Sequence, residues 1–194
     1  MCFPCFHFYP RAYDPKRIVG RSIFQSWDTA SSSREFGDYS VGTTWYVDNG
    51  KYYLLDVRRK QLLYPDLKKE IFAYSREYSC LKVVIEEMGA GRHLIQEFRA
   101  MEVPIISYMP KVDKVMRLAA VSPLIEAGVV LFPDSAPWLD DLIMELLQFP
   151  NGSHDDQVDS LSQFLNYMEE RKIPDMAIYD FHGNIRRRSP DDYR

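Results

Sequence analysis

Three β-prone segments follow one another with little chain between them, and this limits the fold more than any other feature of the sequence. Residues 18–27, 38–47 and 51–58 are rich in β-branched and aromatic side chains. Asp48-Asn-Gly50 is a strong turn signal between the second and third, and the polar stretch 29–37 joins the first two. Strands joined by links this short pair as an antiparallel meander, because a parallel crossover needs a dozen residues or more.

The pattern then changes period. Pro65 stands where a helix tolerates proline, at its first turn, and Leu67, Ile71, Phe72 and Tyr78 supply an apolar stripe. The run 81–85 reads as a short buried strand that ends in Glu86-Glu87. After Met88-Gly-Ala-Gly91 comes a helix with Leu94, Ile95, Phe98 and Met101 on one face. A strand is expected at 103–108, a helix at 111–127 kinked or restarted by Pro123, a strand at 129–132 and a helix at 138–149. A last helix starts near His154, with Ser153 as its N-cap, and runs to about Arg171, where Pro174 closes it. The expected fold is therefore α/β: a mixed sheet, antiparallel in its first three strands and parallel afterwards, flanked by helices. One domain is expected over 18–172, after an irregular, proline-bearing lead-in or linker stump at 1–17. The tail at 173–194 has no core-forming pattern and is expected to be mobile.

Composition supports one globular domain. The chain has 194 residues, 46% of them hydrophobic, enough for a proper core. A net charge of −4 does not announce a nucleic-acid binder, although a nuclease must gather acids at its site and bases around it. No apolar run approaches the roughly 20 residues of a membrane span, and the N-terminus lacks the pattern of a signal peptide. Three cysteines form no disulfide framework, so a cytoplasmic setting is expected, and the lone Cys2/Cys5 pair has no second pair to complete a zinc site.

Acidic residues collect at element ends. Asp28 follows the first strand, Glu86 and Glu87 follow the fourth, and Asp155, Asp156 and Asp159 open the last helix. Asp155 and Asp159 lie one turn apart on one face, where like charges repel by a few tenths of a kcal/mol. Two readings account for them. Acids in a first turn suit the helix dipole, which covers Asp155 and Asp156 but covers Asp159 poorly. Alternatively, the carboxylates hold divalent cations, which take oxygen ligands.

Many short motifs occur in a set order: Ser26-Trp-Asp-Thr-Ala30, Asp38-Tyr-Ser-Val41, Tyr53-Leu-Leu-Asp-Val57, Tyr64-Pro-Asp-Leu-Lys68, Val84-Ile-Glu86 with Gly91, Asp113-Lys114 with Arg117, Ala120-Val-Ser-Pro123, Glu126-Ala-Gly128, Phe149-Pro-Asn-Gly152 and His154-Asp-Asp-Gln-Val-Asp159. Together, over roughly residues 20–167, they resemble the C-terminal nuclease domain of the large terminase subunit of tailed bacteriophages and prophages. The resemblance implies a ribonuclease H-like fold, an acidic cluster that binds Mg²⁺ or Mn²⁺, two ions in all, and cleavage of double-stranded DNA. It places Asp28 as the first-strand ligand, Glu86, five residues before Gly91, as the second with Glu87 as the alternative, and Asp155, Asp156 and Asp159 as the third group. His154 would orient one of these or the attacking water. Two hard cations ~3.5–4 Å apart suit phosphodiester hydrolysis, since one side activates water and the other stabilises the leaving oxygen.

Lys111, Lys114 and Arg117 near the start of one helix, with Arg92, are candidate phosphate contacts, which give affinity without sequence specificity. The partners implied are duplex DNA, the terminase small subunit, the portal and an ATPase domain, in the cytoplasm of a bacterial host. The chain carries no GxxxxGK[ST] phosphate loop, so the ATP-driven motor is expected to lie elsewhere, the chain being an excised domain or a degenerate prophage gene product. Two other readings stay open: another ribonuclease H-like nuclease of the junction-resolvase type, and a non-catalytic prophage remnant.

Overall fold

The computed structural model describes residues 5–10, 22–29, 39–101, 103–172, 178–179 and 185–186. Strand β1 is Phe8–Tyr9, and the meander follows as β2 (Ser22–Asp28), β3 (Ser40–Asp48) and β4 (Lys51–Lys60). Helix α1 (Tyr64–Glu77), β5 (Lys82–Glu86), α2 (Ala90–Ala100), β6 (Ile105–Tyr108), α3 (Lys114–Glu126), β7 (Val130–Pro133), α4 (Leu139–Gln148) and α5 (Asp156–Lys172) complete the domain. A separate two-stranded ladder, β8 (Ile178–Tyr179) with β9 (Ile185–Arg186), lies in the tail. The rest of the tail, Pro174 included, and most of the expected lead-in lie outside the described residues.

The seven-stranded sheet has the order β1-β7-β4-β3-β2-β5-β6. The meander pairs antiparallel, whereas β5, β6, β7 and β1 add in parallel, giving the expected mixed sheet. Within the aromatic lead-in, where the sequence shows no period, Phe8 and Tyr9 form an edge strand on β7.

Strand alternation sends successive side chains to opposite faces, and the two faces have separate cores. Ile85, Val83 and Trp27 pack with Leu67, Ile71 and Tyr74 of α1 and Leu94, Ile95 and Phe98 of α2. On the other face Phe24, Val84, Trp45 and Leu54 meet α3, α4 and α5, with Trp45 stacked on Phe164 at 4.5 Å. A register shift opposite Thr44/Trp45 turns both Leu54 and Val57 toward this second core. At Gly42 an added Cβ would come within 2.6 Å of the Trp27 ring, so the indole requires the bare backbone there.

Some helix details differ from the sequence reading. The α1 stripe is Leu67, Ile71 and Tyr74, while Phe72 is exposed; Met101 also faces outward, because α2 ends before it. Helix α3 starts at Lys114, where the Asp113 carboxylate caps the Met116 N–H at 2.9 Å, and runs unbroken through Pro123.

Candidate active site

Parallel pairing puts Trp27 beside Ile85, so Asp28 and Glu86 close the carboxyl ends of two adjacent strands. By alternation both point to the face of Phe24 and Val84, which α5 covers. Clefts at carboxyl ends of strands are where open α/β sheets hold ligands. Glu87 leaves on the other side, where the Ser107 hydroxyl donates to its carboxylate. The structure thus brings Glu86, not Glu87, to the site.

Gly91 sets how closely α2 follows β5. A Cβ there would collide with the Glu86 carbonyl oxygen, so no side chain fits without moving the backbone that carries Glu86.

A buried polar seam fixes α5 on the sheet. Ser160 Oγ donates to the Ser26 carbonyl at 2.8 Å, and Gln163 Nε2 reaches Ser26 Oγ at 2.9 Å. The same amide also contacts the carbonyls of Trp27 at 3.3 Å and Val84 at 3.4 Å. These bonds lock Asp159, one position before Ser160, against the strands of Asp28 and Glu86.

The start of α5 is held from α4. Buried Glu145 accepts from the backbone N–H of Gln157 at 2.7 Å and of Val158 at 3.1 Å, and from Gln157 Nε2 at 2.7 Å. The helix begins at Asp156, not at His154, and its first N–H groups find this remote carboxylate. Sequence reading missed Glu145. The signal was an acid on the apolar stripe Leu142-Glu145-Leu146, which only a partner makes tolerable.

Arg117 is the largest departure from expectation. It lies inside the cluster, only 6% exposed, and not on the open surface. Its Nη1 is 3.2 Å from Glu86 and its Nη2 3.0 Å from Asp159. Lys114 bridges Asp155 and Asp159, the latter at 3.2 Å, so these two acids do share a face. Asp156 turns toward Arg59 at 3.7 Å and His154 at 4.0 Å. Arg59 stacks over Tyr39, 4.1 Å from the ring centre, and Tyr39 meets the His154 ring edge-on at 5.7 Å. Lys111 pairs with Glu170 at 3.1 Å on the surface, and Arg92 is exposed in the first turn of α2.

Burial raises the Asp28 carboxyl well above the usual range, and the charges of Asp159, Glu86 and Asp156 push it further; Arg117 offsets part of this. Asp159 is raised mainly by burial, against the pull of Arg117 and Lys114. Asp156 is raised by burial and then by Glu145. For Lys114, burial works downward, but its bonds to Asp155 and Asp159 prevail and raise it. Burial and the neighbouring carboxylates together disfavour the charged form of Asp28.

Oxygen donors of this kind fit a hard divalent cation. Asp28, Glu86 and Asp159 are the groups that would hold it, with Asp155 and Asp156 at the rim. Among the described residues no three His, Cys, Asp or Glu side chains already converge as a metal site, which is consistent with Arg117 and Lys114 lying among the carboxylates.

The same fold occurs in known proteins. A large terminase from a thermophilic bacteriophage superposes with a TM-score of 0.61 at 13% identity, covering 84% of this chain and 43% of that one. The large terminase nuclease of thermophilic phage G20c with bound zinc gives 0.61 at 22% identity, covering 83% and 91%. The large terminase nuclease domain of Thermus phage P74-26 gives 0.61 at 20% identity, covering 83% and 89%. The chain therefore spans less than half of the first of these proteins and most of the two nuclease structures. No curated protein matches the chain. A family profile described as the terminase RNaseH-like domain matches residues 25–168, three quarters of the sequence. The fold, the placement of the acidic residues and this match agree: the chain belongs to the terminase RNaseH-like domain family.

Proposed function

We propose that the chain is a divalent-metal-dependent endonuclease domain that cuts double-stranded, concatemeric DNA during phage genome packaging. The observation that carries this reading is the placement of Asp28 and Glu86 on two adjacent parallel strand ends, with Asp159 of α5 joined to Glu86 through Arg117 and the charges of both raising the buried Asp28 carboxyl. Carboxylates brought together from three elements at a folding cost serve a cation better than they serve stability.

When bound, Mg²⁺ or Mn²⁺ polarises the phosphodiester and makes water a stronger acid. The G20c nuclease has been solved with magnesium, cobalt and zinc, which supports a divalent ion here. Asp28, Glu86 and Asp159 bind the cation, Glu145 and Gln163 hold α5 so that Asp159 stays in reach, and Gly91 keeps Glu86 at the strand end. His154 orients Asp156 at the rim. The resemblance implies a pair of ions.

Lys111 and Arg92, both exposed, are the phosphate contacts of this reading, with Lys114 at the rim. Targeting falls to other components, namely a packaging ATPase domain, a small terminase subunit and the portal, in the cytoplasm of an infected or lysogenic bacterium. Among the described residues no helix is long and apolar enough to cross a membrane.

Relaxation of supercoiled plasmid and cutting of linear duplex, each with Mn²⁺, Mg²⁺ or EDTA, test the proposal. Cleavage with either metal, none in EDTA and no preference for four-way junctions is the expected result. A junction preference would favour a resolvase, and no cleavage under any metal would favour the non-catalytic remnant.

A further inference from the structure

The chain just past β5 and just past β6 carries an apolar rim that takes no part in either core. Met109, Met88 and Met116 are the three most exposed large hydrophobic residues among those described, at 60%, 59% and 57%. Val112 and Val115 are exposed in the same stretch. Single exposed apolar residues need no explanation, but these five gather in the turn after β5 and in the stretch 109–116 after β6.

Backbone pairing fixes where the rim stands. Tyr108 pairs with Glu86, and the Glu87 N–H donates to the Tyr108 carbonyl at 2.8 Å, so Met88 and Met109 extend past neighbouring strand ends. Strands β2, β5 and β6 run parallel, and these are the ends that also carry Asp28 and Glu86. Val112 stands just before the Asp113 cap, where an apolar residue ordinarily packs on the fourth residue of the helix. Here that residue is Arg117, buried among carboxylates, and Val112 stays in water.

The charges of the two stretches are sorted. Glu87 accepts from Ser107 and Asp113 caps Met116, so both acids are engaged locally. Lys111, between Met109 and Val112, has a side chain 76% exposed, with Glu170 as its surface partner. Arg92, four residues after Met88, is exposed too. Bases that alternate with apolar tips fit a nucleic-acid backbone, in which anionic phosphates alternate with apolar sugar edges. A protein partner would call for fewer lysines, since the cores of such interfaces are depleted in them.

We infer that Met88 and Met109 pack on the sugar edges of the minor groove of the duplex held at this site, and that this contact selects deoxyribose over ribose. The inference rests on the nuclease reading proposed above and narrows its substrate class. Methionine is unbranched and polarizable, so it follows an irregular surface, and apolar side chains serve other minor-groove proteins as wedges. On an RNA·DNA hybrid, 2′-hydroxyls line that groove. Pressed against a thioether, such a hydroxyl loses water and gains no partner. A deoxyribose gives up nothing. The rim therefore rejects hybrids without reading a base, while Arg92 and Lys111 hold phosphates.

A labelled DNA duplex and an RNA·DNA hybrid of the same sequence, each titrated with the whole chain in Ca²⁺ and followed by fluorescence anisotropy, test this apart from cleavage. The unsubstituted chain should prefer DNA by about tenfold. Met88→Gln combined with Met109→Gln supplies polar groups that can meet a hydroxyl, and should bring the ratio within about threefold. Met88→Leu combined with Met109→Leu keeps the rim apolar and should retain the preference. Both side chains are exposed, so neither pair of substitutions disturbs the core. The ratio is the readout, and a general loss of affinity does not imitate the effect. Equal affinity of the unsubstituted chain for the two duplexes would overturn the inference. So would a preference that survives in the glutamine variant, which would leave the rim to a protein partner. Cleavage of the same DNA in Mn²⁺ separates the two claims: a preference lost in the glutamine variant, without cleavage by the unsubstituted chain, would support the rim and overturn the nuclease reading. No binding of either duplex would overturn both.

Discussion

Glu145 of α4 grips Gln157 of α5 twice, through the backbone N–H and through the side-chain amide, each at 2.7 Å. A third bond, from the Val158 N–H at 3.1 Å, uses the same carboxylate oxygen as the backbone contact. A buried carboxylate thus caps the helix that carries Asp156 and Asp159, and it does so from another helix.

Replacing Glu145 by Ala leaves two helix N–H groups unmet in the interior and should cost roughly 2–3 kcal/mol of stability. Thermal melting checks this. Glu145→Gln keeps two acceptor contacts but loses the charge at the helix N-terminus, so a smaller loss is expected. Both variants should also bind Mn²⁺ more weakly, because the first turn of α5 frays. Unchanged melting in Glu145→Ala would show that the cap is not what holds α5.

Asp28→Asn should abolish cleavage and stabilise the metal-free chain, with a gap that depends on pH. The folded-state pKa of Asp28 is raised, so its favourable contribution is complete below the unfolded value near 3.8 and is lost as pH rises through the folded value. Asparagine does not titrate. In EDTA, therefore, the melting temperature of the variant should exceed that of the unsubstituted chain by an amount that grows as pH rises above about 4 and then levels off. Mn²⁺ should reverse the order, since a ligand of the folded state at 100 times its Kd adds about 2.7 kcal/mol. A gap independent of pH would contradict the raised Asp28.

The meander, the parallel strands and the acidic residues at element ends are legible in the sequence, because periodicity and turn signals are local. Where that reading fails, the causes are physical. Charge alone makes Arg117 a surface base. Its spacing to Val121 and Ile125, four and eight residues on, places it on the buried stripe of α3. Strand alternation alone does not separate Glu86 from Glu87, since one residue reverses the face; it is the spacing to Gly91 that favours Glu86. The bond from Glu145 to α5, and the edge strand at Phe8–Tyr9, join segments that no local pattern connects.

Gly91→Ala should lower both stability and activity. The added methyl meets backbone, which cannot rotate away, so a cost of about 1–3 kcal/mol is expected, with displacement of Glu86. Melting and plasmid relaxation together check it. Full activity would mean that α2 can retreat from β5 without disturbing the site.

DNA affinity should fall steeply with salt, because few bases act against a net charge of −4. Substituting Lys111 and Arg92 together should weaken binding equally on unrelated duplexes and reduce the slope of log K against log salt by roughly one to two units. The surface pair of Lys111 with Glu170 is no obstacle, since exposed pairs contribute little. Loss confined to one sequence would mean that these residues read bases.

The cation site itself is tested most directly by anomalous diffraction from crystals of the chain soaked in Mn²⁺, recorded at the manganese edge. A peak within roughly 2–2.5 Å of an Asp28 carboxylate oxygen, absent in Asp28→Asn crystals, is the result expected for a divalent-metal nuclease site at these strand ends. A fully soaked crystal with no manganese among Asp28, Glu86 and Asp159 would contradict it.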